Sequence, residues 1–153
     1  MNELEKRASK INNKYRKKKE ALILKVPVPI IMTRKGLIAQ QSTVDYTGLI
    51  NGGTYIAFDA KETLSKTSFP LANIKQHQLV YLELVRDLGG IAFFFIHFKN
   101  LHPDQAFITP IYLINHYWSG KGGRKSIPIS DFKSEWLAPV DNYLPQVKQI
   151  YAT

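Results

Sequence analysis

No cysteine occurs among the 153 residues, which excludes disulfides, thiolate metal sites and cysteine nucleophiles. Long apolar runs are missing too. The longest, Ile91 to Phe98, is interrupted by His97 and is too short to span a bilayer. The N-terminal stretch is charged and lacks an apolar segment followed by a small-residue cleavage site, so it does not read as a secretory signal. A cytoplasmic protein without membrane contact is expected. There is no GxSxG, HExxH or P-loop spacing, no GxGxxG follows a strand, and the histidines at 77, 97, 102 and 116 are not spaced as a zinc set. Hydrolase triads and zinc sites are set aside. No internal repeat is visible.

What is present suits one globular domain: 44% hydrophobic and 22% charged residues in a chain too short for two ordinary domains. The net charge of +9 is concentrated at the start, where Met1 to Lys35 holds eleven Lys or Arg against three Glu. Such a block suits a polyanion, and nucleic acid fits better than a membrane because no large apolar face accompanies it. A solvated basic helix is the plainer alternative. Leu4, Ala8, Ile11 and Tyr15 form one stripe on a helix from about Asn2 to Lys19, with Lys10, Lys14 and Lys17 on its other faces. Glu5 lies at the edge of the stripe, where it can lean toward the rest of the fold or, more simply, into solvent.

The chain is organised around Thr43 to Lys61. Two half-apolar runs flank Asn51-Gly52-Gly53, the pattern of an antiparallel hairpin. With these three residues as the loop, Ile50 faces Thr54, and stepping back along both strands sets Asp45 opposite Asp59. Alternation puts Lys61 on the same face as Asp59. Like charges directly across a ladder are unfavourable unless a cation sits with them. A hard ion such as Mg²⁺, which binds carboxylate and phosphate oxygens, is one explanation. A polar edge hairpin with its acids splayed into water and Lys61 pairing with one of them fits the spacing as well.

Elsewhere, Ala21 to Val26 predicts a strand stopped by Pro27 and Pro29, and Ile30 to Ala39 a second hairpin with Arg34 and Lys35 at its tip. Glu62 to Pro70 reads as a polar loop offering Lys66. Ile74, Gln78, Tyr81, Leu82 and Val85 suggest a helical stripe closed by Gly89-Gly90, with Gln78 the polar residue that needs a partner. Ile91 to Phe98 is apolar on both faces, as in a central strand, and makes His97 a core or edge histidine. Ala106 to Ile108 predicts another strand, Thr109-Pro110 the start of a helix through Trp118, and Ser119 to Ser126 a flexible basic loop with Arg124 and Lys125. Ser130 reads as the cap of a short helix through Trp136, and Val147 to Tyr151 as a terminal helix or strand.

Several strings, in one order along most of the chain, resemble the RecU family of Holliday junction resolvases. They are Ser42-Thr43-x-Asp45-Tyr46-x-Gly48, Phe58 to Thr63, Lys66 to Leu71, His77-Gln78 and Gly122 to Pro128. The resemblance implies an α/β fold of the PD-(D/E)xK nuclease type, a mixed sheet flanked by helices. It implies a homodimer that nicks opposite strands of four-way junction DNA with Mg²⁺, Mn²⁺ being able to substitute. A recombinase is a candidate further partner. Thr43, Asp45, Asp59 and Gln78 match the family's metal-site positions, Lys61 its transition-state stabiliser, and Glu5 falls near an acidic position of its first helix. Arg34, Lys35, Lys66, Arg124, Lys125, Lys10, Lys14 and Lys17 are then expected to hold DNA phosphates. The sequence departs from the family in three ways. Asp59 stands where a Glu is usual, the segment from 30 to 42 is shorter than the family's stalk, and the long N-terminal extension is missing, as in a compact, phage-type member. A non-catalytic junction-binding protein, or a nuclease of this fold preferring flaps or duplex, is the rival reading.

Overall fold

Alternation in Thr54–Thr63 and continuous apolar character in Ile91–Phe98 put these segments side by side at the centre of a six-stranded sheet. The computed structural model describes residues 1–39, 43–120 and 124–152. Along these, helix α1 (Glu3–Lys17) precedes strands β1 (Ala21–Lys25), β2 (Ile30–Thr33), β3 (Gly36–Ala39), β4 (Tyr46–Ile50), β5 (Thr54–Thr63) and β6 (Ser68–Pro70). Helix α2 (Gln76–Asp87), β7 (Ile91–Phe98), β8 (Gln105–Pro110), α3 (Ile111–Trp118), β9 (Ser126–Pro128), β10 (Leu137–Pro139) and α4 (Leu144–Ile150) follow. The sheet order is β1-β4-β5-β7-β8-β10; β5 and β7 run parallel and the other neighbours antiparallel. The expected mixed sheet flanked by helices is what the chain forms.

Two apolar layers hold it. Leu4, Ala8 and Tyr15 of α1, with Leu144 and Val147 of α4, cover Ile23, Tyr46, Phe58, Phe93 and Phe95 on one face. Leu79, Leu82 and Val85 of α2, with Ile111 and Ile114 of α3, cover Ala57, Phe94, Ile96 and Phe98 on the other. Every residue of β7 is buried, which accounts for its unbroken apolar run. Asn12 is buried on the inner side of α1, where it takes the Tyr143 hydroxyl as partner.

The organising hairpin has the expected register: Ile50 pairs with Thr54 and Tyr46 with Phe58, around Asn51 and two glycines of positive φ (103° and 96°). At Gly48 a Cβ would lie 2.0 Å from the Leu22 carbonyl oxygen, so β1 and β4 can approach only if this residue has no side chain. The second hairpin pairs Ile30 to Thr33 with Gly36 to Ala39 as a separate two-stranded ribbon, with exposed Arg34 and Lys35 at its turn.

Several expectations need correction. Thr109 does not cap a helix. It lies in β8 opposite Phe94, buried, with its hydroxyl donating to the Phe107 carbonyl, and the helix starts two residues later. Pairing with β7 outweighs the local capping signal. Glu62 and Thr63 are not loop but the end of β5, paired with His97 and Phe98, and Ser68–Pro70 pairs with β9. Only Leu64 to Thr67 lies between strands there, with Lys66 exposed. Ile74 precedes α2, whose buried side includes Leu79 instead. In place of a helix capped by Ser130, Ile129–Asp131 and Ser134–Trp136 form two short 3₁₀ turns. The terminal element is a helix that begins before the expected range. Gln40 to Ser42 and the Lys121 to Gly123 part of the basic loop fall outside the described residues.

Candidate functional site

Asp45 immediately precedes β4 and Asp59 lies within β5, so the hairpin register brings them together. The backbone N–H of Asp45 donates to Asp59 Oδ1 at 2.9 Å, and the N–H of Ala60 donates to Asp45 Oδ2 at 2.9 Å. Each acid is thus fixed by the other's strand. Asp59 is 1% exposed. Its Oδ2 meets the Lys61 ammonium, 3.0 Å away, as an ion pair. Burial, and secondly the charge of Asp45, push its carboxyl up to about 6, while Lys61 opposes the shift.

Both acids border a hollow of about 430 Å³, whose wall includes Asn2, Glu5, Lys61, Glu62, Asn73, Lys75 and Gln78. Glu5 therefore turns toward the hairpin, against the simpler expectation of solvent. Its carboxylate reaches the Lys25 ammonium at 3.6 Å, and two contacts fix the backbone around it. The Tyr46 hydroxyl donates to the Glu5 carbonyl oxygen at 2.8 Å. The Glu62 carboxylate accepts from the Leu4 N–H at 2.7 Å, and its other oxygen accepts from Lys99 at 3.1 Å. A carboxylate on the first-turn N–H groups also complements the helix dipole. The first turn of α1 becomes one wall of the hollow.

Gln78 has its partner in the backbone: its side-chain oxygen accepts from the Lys75 N–H at 3.1 Å, closing the first turn of α2 at the rim. Thr43 is exposed and borders an adjoining hollow with Lys75, His77 and Tyr81. His97 is buried; its Nε2 lies 2.8 Å from the His102 carbonyl oxygen, and burial lowers its pKa. Among the residues expected to hold DNA, Arg124 and Lys125 border a hollow that shares Ala72 with the acid site. Lys10, Lys14 and Lys17 are exposed on α1, whereas Arg34 and Lys35 share the β2–β3 turn and Lys66 stands between β5 and β6.

Sequence reasoning missed Lys25. Its Nζ lies 2.9 Å from Asp45 Oδ1 and 3.6 Å from Glu5 Oε2. Lys25 faces Tyr46 in the β1–β4 register, a pairing between strands separated by a whole hairpin that spacing does not reveal. The unfavourable pair of acids is therefore already balanced, Asp59 by Lys61 and Asp45 by Lys25. Arg7 belongs to the basic block but is occupied as well. It donates to both carboxylate oxygens of Asp141, at 3.0 and 2.8 Å, and to Asp104 and the Pro103 carbonyl, tying α1 to the loops beside β8 and β10.

Among the described residues, no three His, Asp or Glu side chains gather as an enclosing metal cage, and no helix is long and apolar enough to cross a membrane. Each carboxylate keeps one oxygen that meets only a lysine ammonium, Asp45 Oδ1 with Lys25 and Asp59 Oδ2 with Lys61, and such a donor pair fits a hard cation that completes its shell with water and phosphate oxygens.

Comparison with known proteins gives the family. The chain is 35% identical to the Holliday junction resolvase RecU of Limosilactobacillus fermentum, over 97% of its own length and 79% of the relative's. Identity to the protein of that name from Lactococcus lactis subsp. lactis is 34%, over 89% of this chain and 68% of that one. For the Oenococcus oeni protein it is 33%, over 97% and 84%. The sequence profile described as Recombination protein U matches residues 2–150, and the chain is accordingly a member of the RecU family.

Proposed function

We propose that this chain is a Mg²⁺-dependent endonuclease of the PD-(D/E)xK type, with Mn²⁺ as a working substitute. It resolves Holliday junctions by paired symmetric nicks during DNA recombination and repair. The observation that carries the reading is the Asp45–Asp59 pair with Lys61 beside it, in an open hollow next to basic side chains. The names borne by the relatives supply the substrate class.

Asp45 and Asp59 are the proposed cation ligands, with Gln78 at the rim and Thr43 as the outlying member of the set. Bound there, the ion supplies a lowered pKa for water and neutralises charge on the phosphate. The protein's own part is positional. Asp45 is held by the Ala60 N–H and Asp59 by the Asp45 N–H, so neither carboxylate has to reorganise. Lys61 directs an ammonium at the phosphate oxygens as they gain charge. Water adds to phosphorus, one ester P–O bond breaks, and the leaving oxygen takes up a proton. Arg124, Lys125 and the lysines of α1 hold flanking phosphates, which makes binding fall with salt.

Paired nicks need two sites, and a homodimer supplies them. The surface suited to a second copy is the α2-side face of β1 and β4. There Leu22, Leu24 and Leu49 are 46%, 53% and 49% exposed, an apolar strip with Arg16 and Lys19 at its border.

The test is incubation of the protein with labelled four-way junction, flap and linear duplex in Mg²⁺ or Mn²⁺. Symmetric nicks confined to the junction are expected. Junction binding without nicks at any concentration of either ion makes the chain a non-catalytic junction-binding protein. Equal cutting of flap or duplex leaves the chemistry standing and removes the junction selectivity.

A further inference from the structure

We propose that Lys25 is the resident counter-ion of the acid site: its ammonium holds Asp45 and Glu5 in position in the cation-free protein and surrenders Asp45 when a divalent ion enters. The inference rests on the metal reading above and concerns a residue outside that ligand set.

Lys25 ends β1, and its Nζ sits 2.9 Å from Asp45 Oδ1, 3.6 Å from Glu5 Oε2 and 5.3 Å from the centre of the Tyr46 ring. Asp45 Oδ2 is committed to the Ala60 N–H. Oδ1, the oxygen that Lys25 occupies, is therefore the one that a cation can take without disturbing the hairpin. Loss of Lys25 leaves the Asp45 carboxylate anchored through Oδ2.

Charge supports the exchange. The ion-paired groups are three carboxylates, of Glu5, Asp45 and Asp59, with two ammoniums, of Lys25 and Lys61. Glu62 is engaged by Lys99 and the start of α1. The paired set is close to balance, and a divalent ion overshoots it unless one ammonium withdraws. Lys61 is only 16% exposed and its partner Asp59 is buried, so leaving would strand a buried charge. Lys25 is 33% exposed on a flexible four-carbon stem and can turn to water or to a DNA phosphate.

The experiment is calorimetric titration of the whole chain with Mn²⁺ and with Mg²⁺, without DNA, for the parental protein, Lys25→Met and Lys25→Arg. Removing a unit positive charge a few ångströms from the ion should tighten binding by about tenfold or more. Lys25→Arg should stay near the parental Kd. Equal or weaker binding by Lys25→Met overturns the proposal. A second measurement needs no variant to fold: in ¹⁵N spectra of lysine side chains, the Lys25 ammonium should change its environment as Mg²⁺ saturates the parental protein. An unmoved signal overturns the proposal, and if that protein still nicks junctions the functional reading survives alone. If neither the parental protein nor Lys25→Met takes up either ion, the metal reading falls together with this one.

Discussion

Asp45 and Asp59 are joined through the main chain as well as through their charges: the Asp45 N–H donates to Asp59 Oδ1, and Asp45 Oδ2 accepts from the residue that follows Asp59. An amide oxygen can keep the backbone contact at each position, although the amide nitrogen then faces the neighbouring lysine. Asp45→Asn and Asp59→Asn should therefore fold and bind junction DNA while losing cleavage by more than about a hundredfold. Gel assays of binding and nicking on one labelled junction check this. Parental nicking by either variant rejects the site.

The raised pKa of Asp59 has two pH consequences. Its folded value, about 6, lies above the ordinary 3.8. Its contribution to stability is thus fully present below about pH 3.8 and is lost as pH rises through 6. Asp59→Asn removes this titration, so the fall in stability of the metal-free protein between about pH 4 and pH 7 should flatten, read by thermal melting across that range. Protons also compete with the cation, so Mn²⁺ affinity should fall as pH drops below 6. Calorimetry in buffers of different ionisation heat should detect proton release on uptake near that pH.

Tyr46→Phe deletes the hydroxyl that donates to the Glu5 carbonyl and also contacts Ser9. The cost should be about 1 kcal/mol, the net worth of one hydrogen bond, because the Glu5 carbonyl keeps its helical donor, the Ser9 N–H. Nicking should fall several-fold as the first turn of α1 loosens. Ser9→Ala is the control that keeps the Glu5 contact, and it should nick normally.

Leu22→Asp and Leu49→Asp place a charge on the strip of β1 and β4, where both side chains are already exposed. Neither should lower the melting temperature by more than a few degrees. Both should shift sedimentation from dimer toward monomer and uncouple the paired nicks. Unchanged sedimentation as a dimer assigns the contact to another surface.

The part of the site legible in the sequence is the part built from neighbouring strands. A Gly-rich turn and a period of two fix which residues oppose one another, and so give Asp45, Asp59 and Lys61 their placement. What depends on packing between distant segments was not legible. The inward lean of Glu5 is set by Lys25 at its carboxylate and by Tyr46 and Glu62 at the backbone around it, and the place of Lys25 by pairing of β1 with β4. Thr109-Pro110 and Ser130 show the reverse case, in which a genuine local signal loses to strand pairing or to a tighter turn.

The staple at Arg7 and the Tyr46 hydroxyl together make α1 a rigid lever. Its outward lysines are suited to grip a nucleic-acid backbone, while its first turn lies against the acids. On the proposed function, a strand held by those lysines would pull on the same helix whose first turn borders the acids, which would couple the seating of DNA to the setting of the site.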